Sequence, residues 1–408
     1  MSCWIENASK TENRPLSYGR WDDVLVLLDT PCRKEALAVL KKQFEADMAA
    51  ADGDGEVSLL GKWLPSVNAS NEKTVKTARQ IAKAFGLSER DYRKALVKLR
   101  VRIRILENNL REKDYSFDYE KQPSKAMFKY REAFMRNDSE RYTAYMEKVQ
   151  RGEASLHTGT LYPYEIVEPC LFKDGHWLDH CNMLPLTDEQ KLALNATWNA
   201  LEDFATDENA LAIVDTSGSM YFQQSPMPAA VALSLGIYFA ERAKGPYRNH
   251  FIEFSAHPEL IEIKGETFAD RLRYIASFNE VANTNLEAVF DLILDAAVKN
   301  HVPQSELPAK LYIISDMEFD SSVYDASLTY FENAKRRFEA EGYQLPQLVF
   351  WNVASRHRQQ PVTMDDRGVI LVTGCSPRIF SMAMDGMIDP YAFMLSVINT
   401  ERYSPIAA

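Results

Sequence analysis

The run Leu211-Ala212-Ile213-Val214 passes without a break into Asp215-Thr216-Ser217-Gly218-Ser219. Four consecutive apolar residues read as a strand covered on both faces. A hydroxyl-rich turn follows, and then Pro226 to Ala243 reads as a helix. Strand, loop and helix in that order place the loop outside the carboxyl end of a parallel strand, where open α/β sheets collect ligands. Leu311-Tyr312-Ile313-Ile314 repeats the logic and runs into Ser315-Asp316-Met317-Glu318-Phe319-Asp320. Two such units commit this half of the chain to a layered α/β sheet with polar groups gathered at one rim.

Asp215, Ser217 and Ser219, with Asp316 and with Thr284 at the start of a helix over 285–299, are oxygen donors suited to one chemistry. Mg²⁺ takes near-octahedral oxygen coordination, keeps several waters and seldom sits in an all-protein cage. The three hydroxyls are neutral and only the two carboxylates bring charge, so an ion held here attracts an acidic outside group. Asp and Ser after a strand also serve as ordinary helix N-caps. It is the strand context at both Asp positions that favours the metal. Asp-x-Ser-x-Ser followed by distant Thr and Asp resembles the metal-ion-dependent adhesion site of von Willebrand factor A-type domains. Glu318 and Asp320 read as an acidic loop beside it.

The chain divides near residue 205. Helical signals run over Asp22–Leu28, Lys34–Ala50, Glu72–Phe85, Glu89–Asn109, Lys125–Asn137 and Ser139–Arg151. Clusters such as Asp52-Gly53-Asp54-Gly55 and Pro65-Ser66-Val67-Asn68 separate them. Antiparallel helix pairs of this kind suggest an α-helical repeat (HEAT-like) module over 1–155, a connector over 156–205, and the sheet domain over 206–408. His250–Phe254, Lys310–Ile314, Gln347–Val353 and Gly368–Val372 read as further strands of a doubly wound, mostly parallel sheet. A chain of 408 residues that is 46% hydrophobic is large enough for two such cores.

Charge is unevenly spread. Between Lys73 and Lys113 thirteen Lys and Arg stand against Glu89, Asp91, Glu107 and Glu112, a local balance of +9 in a chain of −11. A basic segment in an acidic chain is an electrostatic footprint for a polyanion, because phosphate neutralisation drives nucleic-acid affinity. Val97, Leu99, Val101, Ile103 and Ile105 alternate with basic residues as in a strand. Leu96, Leu99, Ile103, Leu106 and Leu110 equally share one helical face, and no turn residue interrupts from Ser88 onward, so the helix is preferred. On that helix Arg93, Arg100, Arg104 and Arg111 form one ridge, with Lys94 and Lys98 nearby. A solvated face is the plain alternative, with long stems covering apolar surface. Arginine's forked donors suit phosphate.

Five segments occur in a telling order: Tyr18-Gly19-Arg20-Trp21-Asp22-Asp23, Leu59-Leu60-Gly61-Lys62-Trp63-Leu64-Pro65, Asp91-Tyr92-Arg93-Lys94, Val214 to Met220, and Ser315 to Asp320. Together they resemble an uncharacterised family related to the TROVE-module Ro ribonucleoproteins, found in plants, bacteria, phages and large viruses. The resemblance implies a helical-repeat module followed by a von Willebrand A-like domain. It also implies binding of small noncoding RNA by the helices, and Asp215, Ser217, Ser219, Thr284 and Asp316 as metal ligands. The leading expectation is therefore an RNA-binding protein whose contacts include Arg93, Lys94, Lys98, Arg100, Arg104 and Arg111. The alternative is a metal-dependent protein–protein adaptor that captures an acidic side chain and has no nucleic-acid role.

Other chemistry is thinner. Cys170, His176, His180 and Cys181 cluster, and zinc uses such ligands, but the spacing matches no familiar site. No Gly-x-Ser-x-Gly or phosphate-binding Walker loop occurs. Asp215 could serve as a phosphoryl acceptor beside Mg²⁺, yet Ser217 stands where such enzymes place a second Asp, which argues for binding over catalysis. The five cysteines are odd in number and widely spread, as free thiols in a reducing compartment would be. No apolar run of about 20 residues suggests a membrane span, and MSCWIENASK lacks the pattern of a secretory signal. A cytoplasmic address is expected.

Overall fold

A computed structural model describes residues 21–53, 55–103, 105–171, 183–203, 209–221, 226–255, 257–278, 285–316, 327–353, 369–375, 379 and 389–401. Two compact units emerge, residues 1–117 with 390–408, and residues 118–389. The architecture is a helical region followed by a von Willebrand A-like sheet flanked by helices, as the sequence leads one to expect.

In the first unit α1 (Trp21–Val26), α2 (Arg33–Asp52), α3 (Leu60–Trp63), α4 (Glu72–Phe85), α5 (Glu89–Arg102) and α6 (Leu106–Glu112) follow one another. Local chemistry sets their ends. Asn71 caps α4 by accepting from the Thr74 amide, and Ser88 caps α5 by accepting from the Asp91 amide. Gly86, at φ 77°, closes α4 in the left-handed conformation that a side chain would resist. Trp21, Leu40, Phe44, Leu60, Ile81, Tyr92 and Leu99 share one core. Gly61 lets α3 touch α5, since a Cβ there would meet Leu99 Cβ at 2.8 Å.

The single helix expected over 89–109 is two helices. α5 stops at Arg102, Ile103 and Ile105 adopt extended backbone, and α6 begins at Leu106. Val101, Ile103 and Ile105 are β-branched at alternate positions, which favours extension over continued helix. The Asn108 side-chain Nδ2 donates to the Ile103 carbonyl at 2.9 Å and to the Arg100 carbonyl, satisfying groups that the broken helix exposes.

The second unit opens with α7 (Ser124–Asn137), α8 (Ser139–Gln150), α9 (Pro163–Leu171) and α10 (Asp188–Asn199). Within the span read as a connector, α9 and α10 lend Ile166, Val167, Leu171, Leu194 and Trp198 to the sheet's own core. Then come β1 (Ala210–Asp215), α11 (Pro228–Arg242), β2 (His250–Phe254), β3 (Glu259–Glu262), α12 (Phe268–Ile275), α13 (Leu286–Asn300), β4 (Lys310–Ser315), α14 (Ser327–Ala340), β5 (Gln347–Asn352) and β6 (Val369–Thr373).

The strand order is β3-β2-β1-β4-β5-β6, all parallel except the antiparallel edge strand β3. One face buries Ala212, Val214, Phe251, Tyr312 and Ile314 with α11 and α12. The other buries Leu211, Ile213, Ile252, Leu311 and Phe350 with α13 and α14. That two-sided cover explains why β1 and β4 read as unbroken apolar runs. At Gly236 a Cβ would lie 2.6 Å from Val214 Cγ2, so the bare glycine lets α11 press directly on β1. Among the described residues no helix is long and apolar enough to cross a membrane.

Candidate functional site

The strand order reverses between β1 and β4, so their carboxyl ends flank the crevice where such sheets bind ligands. Ala210 to Val214 pair with Lys310 to Ile314 in register. The same register carries on into the next pair, where Ser315 Oγ donates to Asp215 Oδ2 at 2.6 Å. Asp316 follows directly, and both acids are almost fully buried, Asp215 at 2% exposure and Asp316 at 1%.

The turn after β1 folds back on the acid. The Ser217 amide donates to Asp215 Oδ1 at 2.9 Å, and the Ser217 and Ser219 hydroxyls lie 3.1 Å apart. A short 3-10 turn over Gly218–Tyr221 completes it, with the Met220 amide donating to the Ser217 carbonyl. The sequence-derived residues Asp215, Ser217, Ser219 and Asp316 are thus brought together at one rim. Thr284 lies outside the described residues, as do Glu318 and Asp320. Its neighbour Asn285 caps α13, and the Asn285 amide donates to the Ser255 carbonyl just past β2, so α13 starts at this same rim.

Electrostatics at the rim are strained. Burial pushes the Asp215 carboxyl up to about 6, and the neighbouring Asp316 charge pushes the same way. Hydrogen bonds from Ser315 and from the Ser217 amide and hydroxyl oppose the rise without cancelling it. A buried acid facing a second acid gains most from a cation, because isolated buried charge is costly. Two carboxylates with converging hydroxyls form a hard-oxygen donor set that suits Mg²⁺ better than soft metals.

Two contributors were not singled out from sequence. In sequence Ser315 is only the first residue after the apolar run Leu311–Ile314, and the buried contact between Thr216 and Glu253 leaves one faint trace, an acid inside the apolar strand His250-Phe251-Ile252-Glu253-Phe254.

The expected arginine ridge is not a ridge. Arg100 is half-buried and spends its guanidinium on the first unit itself, with Nε donating to the Gly61 carbonyl at 2.9 Å and Nη2 to the Leu64 carbonyl at 2.8 Å. Burial draws its pKa down from the usual arginine range. Lys98 pairs with Asp52, and Arg102 donates to the Gly53 carbonyl. Arg111 sits on α6, not α5, and pairs with Glu112 at 2.9 Å. Arg104 lies outside the described residues. The helix break at Ile103 takes Arg111 out of the helical phase of α5, and the carbonyls of Gly61 and Leu64 draw Arg100 inward. Arg93 and Lys94 remain exposed on α5, next to exposed Arg90.

Of the possible zinc cluster only Cys170 is described; it is buried on α9 and donates to the Ile166 carbonyl. Burial raises its thiol to about 11, so it is a poor thiolate.

Two family models match adjoining parts of the chain over residues 85–395. Residues 85–208 match a "Domain of unknown function (DUF2828)", and residues 209–395 match a "Domain of unknown function (DUF7788)". The two meet one residue before β1. An uncharacterised protein of Acanthamoeba polyphaga mimivirus is 28% identical over 429 aligned residues, covering 95% of this chain and 72% of the relative. Among solved structures, the Ro (RSR) protein of Deinococcus radiodurans aligns with a TM-score of 0.40 at 13% identity, over 95% of this chain and 94% of that one.

Proposed function

We propose that the sheet unit is a metal-dependent binding module that captures an acidic group through a divalent cation, Mg²⁺ by donor chemistry. One observation carries the reading: Asp215, Ser217 and Ser219 converge on the rim where Ser315 and Asp316 end the neighbouring strand. Asp215, Ser217, Ser219 and Asp316 would hold the ion, with Thr284 as a further ligand. The ion supplies a seat for a carboxylate or phosphate oxygen. Ser217 stands where phosphoryl-transfer enzymes with an Asp nucleophile place a second Asp, so binding is favoured over catalysis. The test is thermal unfolding with and without millimolar Mg²⁺. Wild type should gain several degrees, since a ligand that binds only the folded state stabilises it by mass action. Asp215→Ala and Asp316→Asn should gain nothing; equal gains in all three would remove the metal from this site.

A second function rests on a separate observation. Arg90, Arg93 and Lys94 stand exposed on α5, and Lys73, Lys76 and Lys83 stand exposed on α4. This surface supports binding of RNA through its phosphates, consistent with a role of Ro ribonucleoprotein type. Affinity for RNA should fall steeply with salt, as counterion release requires. A flat salt dependence would reject it and leave the protein adaptor.

A further inference from the structure

Thr216 is the first of the two positions that the Asp-x-Ser-x-Ser spacing leaves unspecified, and its side chain is wholly buried. β1 and β2 run parallel with Val214 opposite Glu253, so Glu253 lies just below the rim on the neighbouring strand. It is 7% exposed, and Thr216 Oγ1 donates to Glu253 Oε1 at 3.3 Å. Phe251, two residues earlier on the same face, packs in the apolar core. An acid at this depth costs stability relative to an apolar residue. A specific duty would explain its presence there.

Other hydrogen bonds of the turn are local or come from β4. Ser217 donates to Asp215, Met220 donates to Ser217, and Ser315 holds Asp215 from β4. Glu253 ties the turn from the β2 side, 37 residues away in sequence. We propose that Glu253 is a positioning residue: through the Thr216 hydroxyl it fixes the 215–219 turn so that the Ser217 and Ser219 hydroxyls converge, and thereby sets cation affinity. The second half of this statement rests on the metal reading above; the first half does not.

The experiment compares full-length wild type with Glu253→Gln, Glu253→Ala and the near-isosteric Thr216→Val. Two quantities are read: amide hydrogen exchange at Ser217 and Met220 in chelator, and Mg²⁺ affinity by calorimetry. Glu253→Ala and Thr216→Val should speed exchange at both amides by about tenfold or more, as expected when a local tie is lost. They should also weaken Mg²⁺ by about tenfold, the usual scale for groups that orient ligands. Glu253→Gln, whose amide oxygen still accepts from Thr216, should stay within about threefold on both. Thr216→Val guards against a misfolded Glu253→Ala protein. Unchanged exchange and affinity in Glu253→Ala and Thr216→Val would overturn the proposal. So would a Glu253→Gln protein as impaired as Glu253→Ala, which would make charge rather than the hydrogen bond the active property. If exchange shifts as expected while wild type binds no Mg²⁺, the turn-holding role stands and the metal reading falls.

Discussion

Ser315 Oγ donates to Asp215 Oδ2 at 2.6 Å, joining the ends of two adjacent parallel strands that lie a hundred residues apart in the chain. Both groups are buried, so the bond is made in a medium where an unsatisfied carboxylate oxygen is expensive. It is the shortest route by which β4 influences the acid at the centre of the candidate metal site.

Ser315→Ala should therefore destabilise the metal-free protein by about 1–3 kcal/mol, the cost of leaving a buried acceptor without its donor. It should also raise the Asp215 pKa further, since this bond is the largest influence holding it down. Chemical denaturation in chelator measures the first effect. A midpoint equal to wild type would show that the contact contributes nothing.

Stability should depend on pH in a direction unusual for an aspartate. The folded pKa of Asp215 is raised to about 6 from 3.8, so the folded state prefers the protonated form. The associated stability is fully present below pH ~4 and is lost as pH rises through ~6, on the order of 3 kcal/mol in all. A bound cation reverses the preference, because it binds the carboxylate. The Mg²⁺-induced rise in unfolding temperature should thus be small at pH 5 and large at pH 7. Equal rises at both would dissociate Asp215 from the ion.

Gly236 tests how tightly α11 must sit on β1. A Cβ there would stand 2.6 Å from Val214 Cγ2, well inside contact distance. Gly236→Ala gains up to about 1 kcal/mol of helix propensity but forces overpacking that costs about 1–3 kcal/mol. A net loss is expected in thermal unfolding. A more stable protein would mean that the helix can shift outward freely.

The basic residues of α5 should separate by role. Arg100→Ala removes two donors from the Gly61 and Leu64 carbonyls and should cost about 1–3 kcal/mol of stability. Arg93→Glu with Lys94→Glu touches only exposed side chains and should change stability by about 0.5 kcal/mol or less. RNA affinity should respond in the opposite order: a large loss, with a shallower salt slope, in the double variant. If Arg100→Ala weakens RNA binding more than the double variant at matched stability, the exposed face is not the interface.

The alternating α/β half was legible because its information is local. Leu211–Val214 and Leu311–Ile314 are continuous apolar runs, as strands buried on both faces must be, and their following turns display oxygen-bearing residues. The sequence order alone therefore determined a sheet domain with Asp215, Ser217, Ser219 and Asp316 at strand ends. Tertiary structure decided what no local pattern encodes. The antiparallel edge strand β3 and the pairing of β1 with β4 depend on which strands become neighbours. The donors from Ser315 and from Thr216 to Glu253 appear only once those neighbours are in register. The arginines show the same divide from the other side: their spacing suits one helical ridge, but Ile103 breaks the helix and Arg100 turns inward to carbonyls of α3 and its cap. A side chain's type is written in the sequence, whereas its partners are set by packing, and a long flexible cation takes whichever acceptors packing brings within reach.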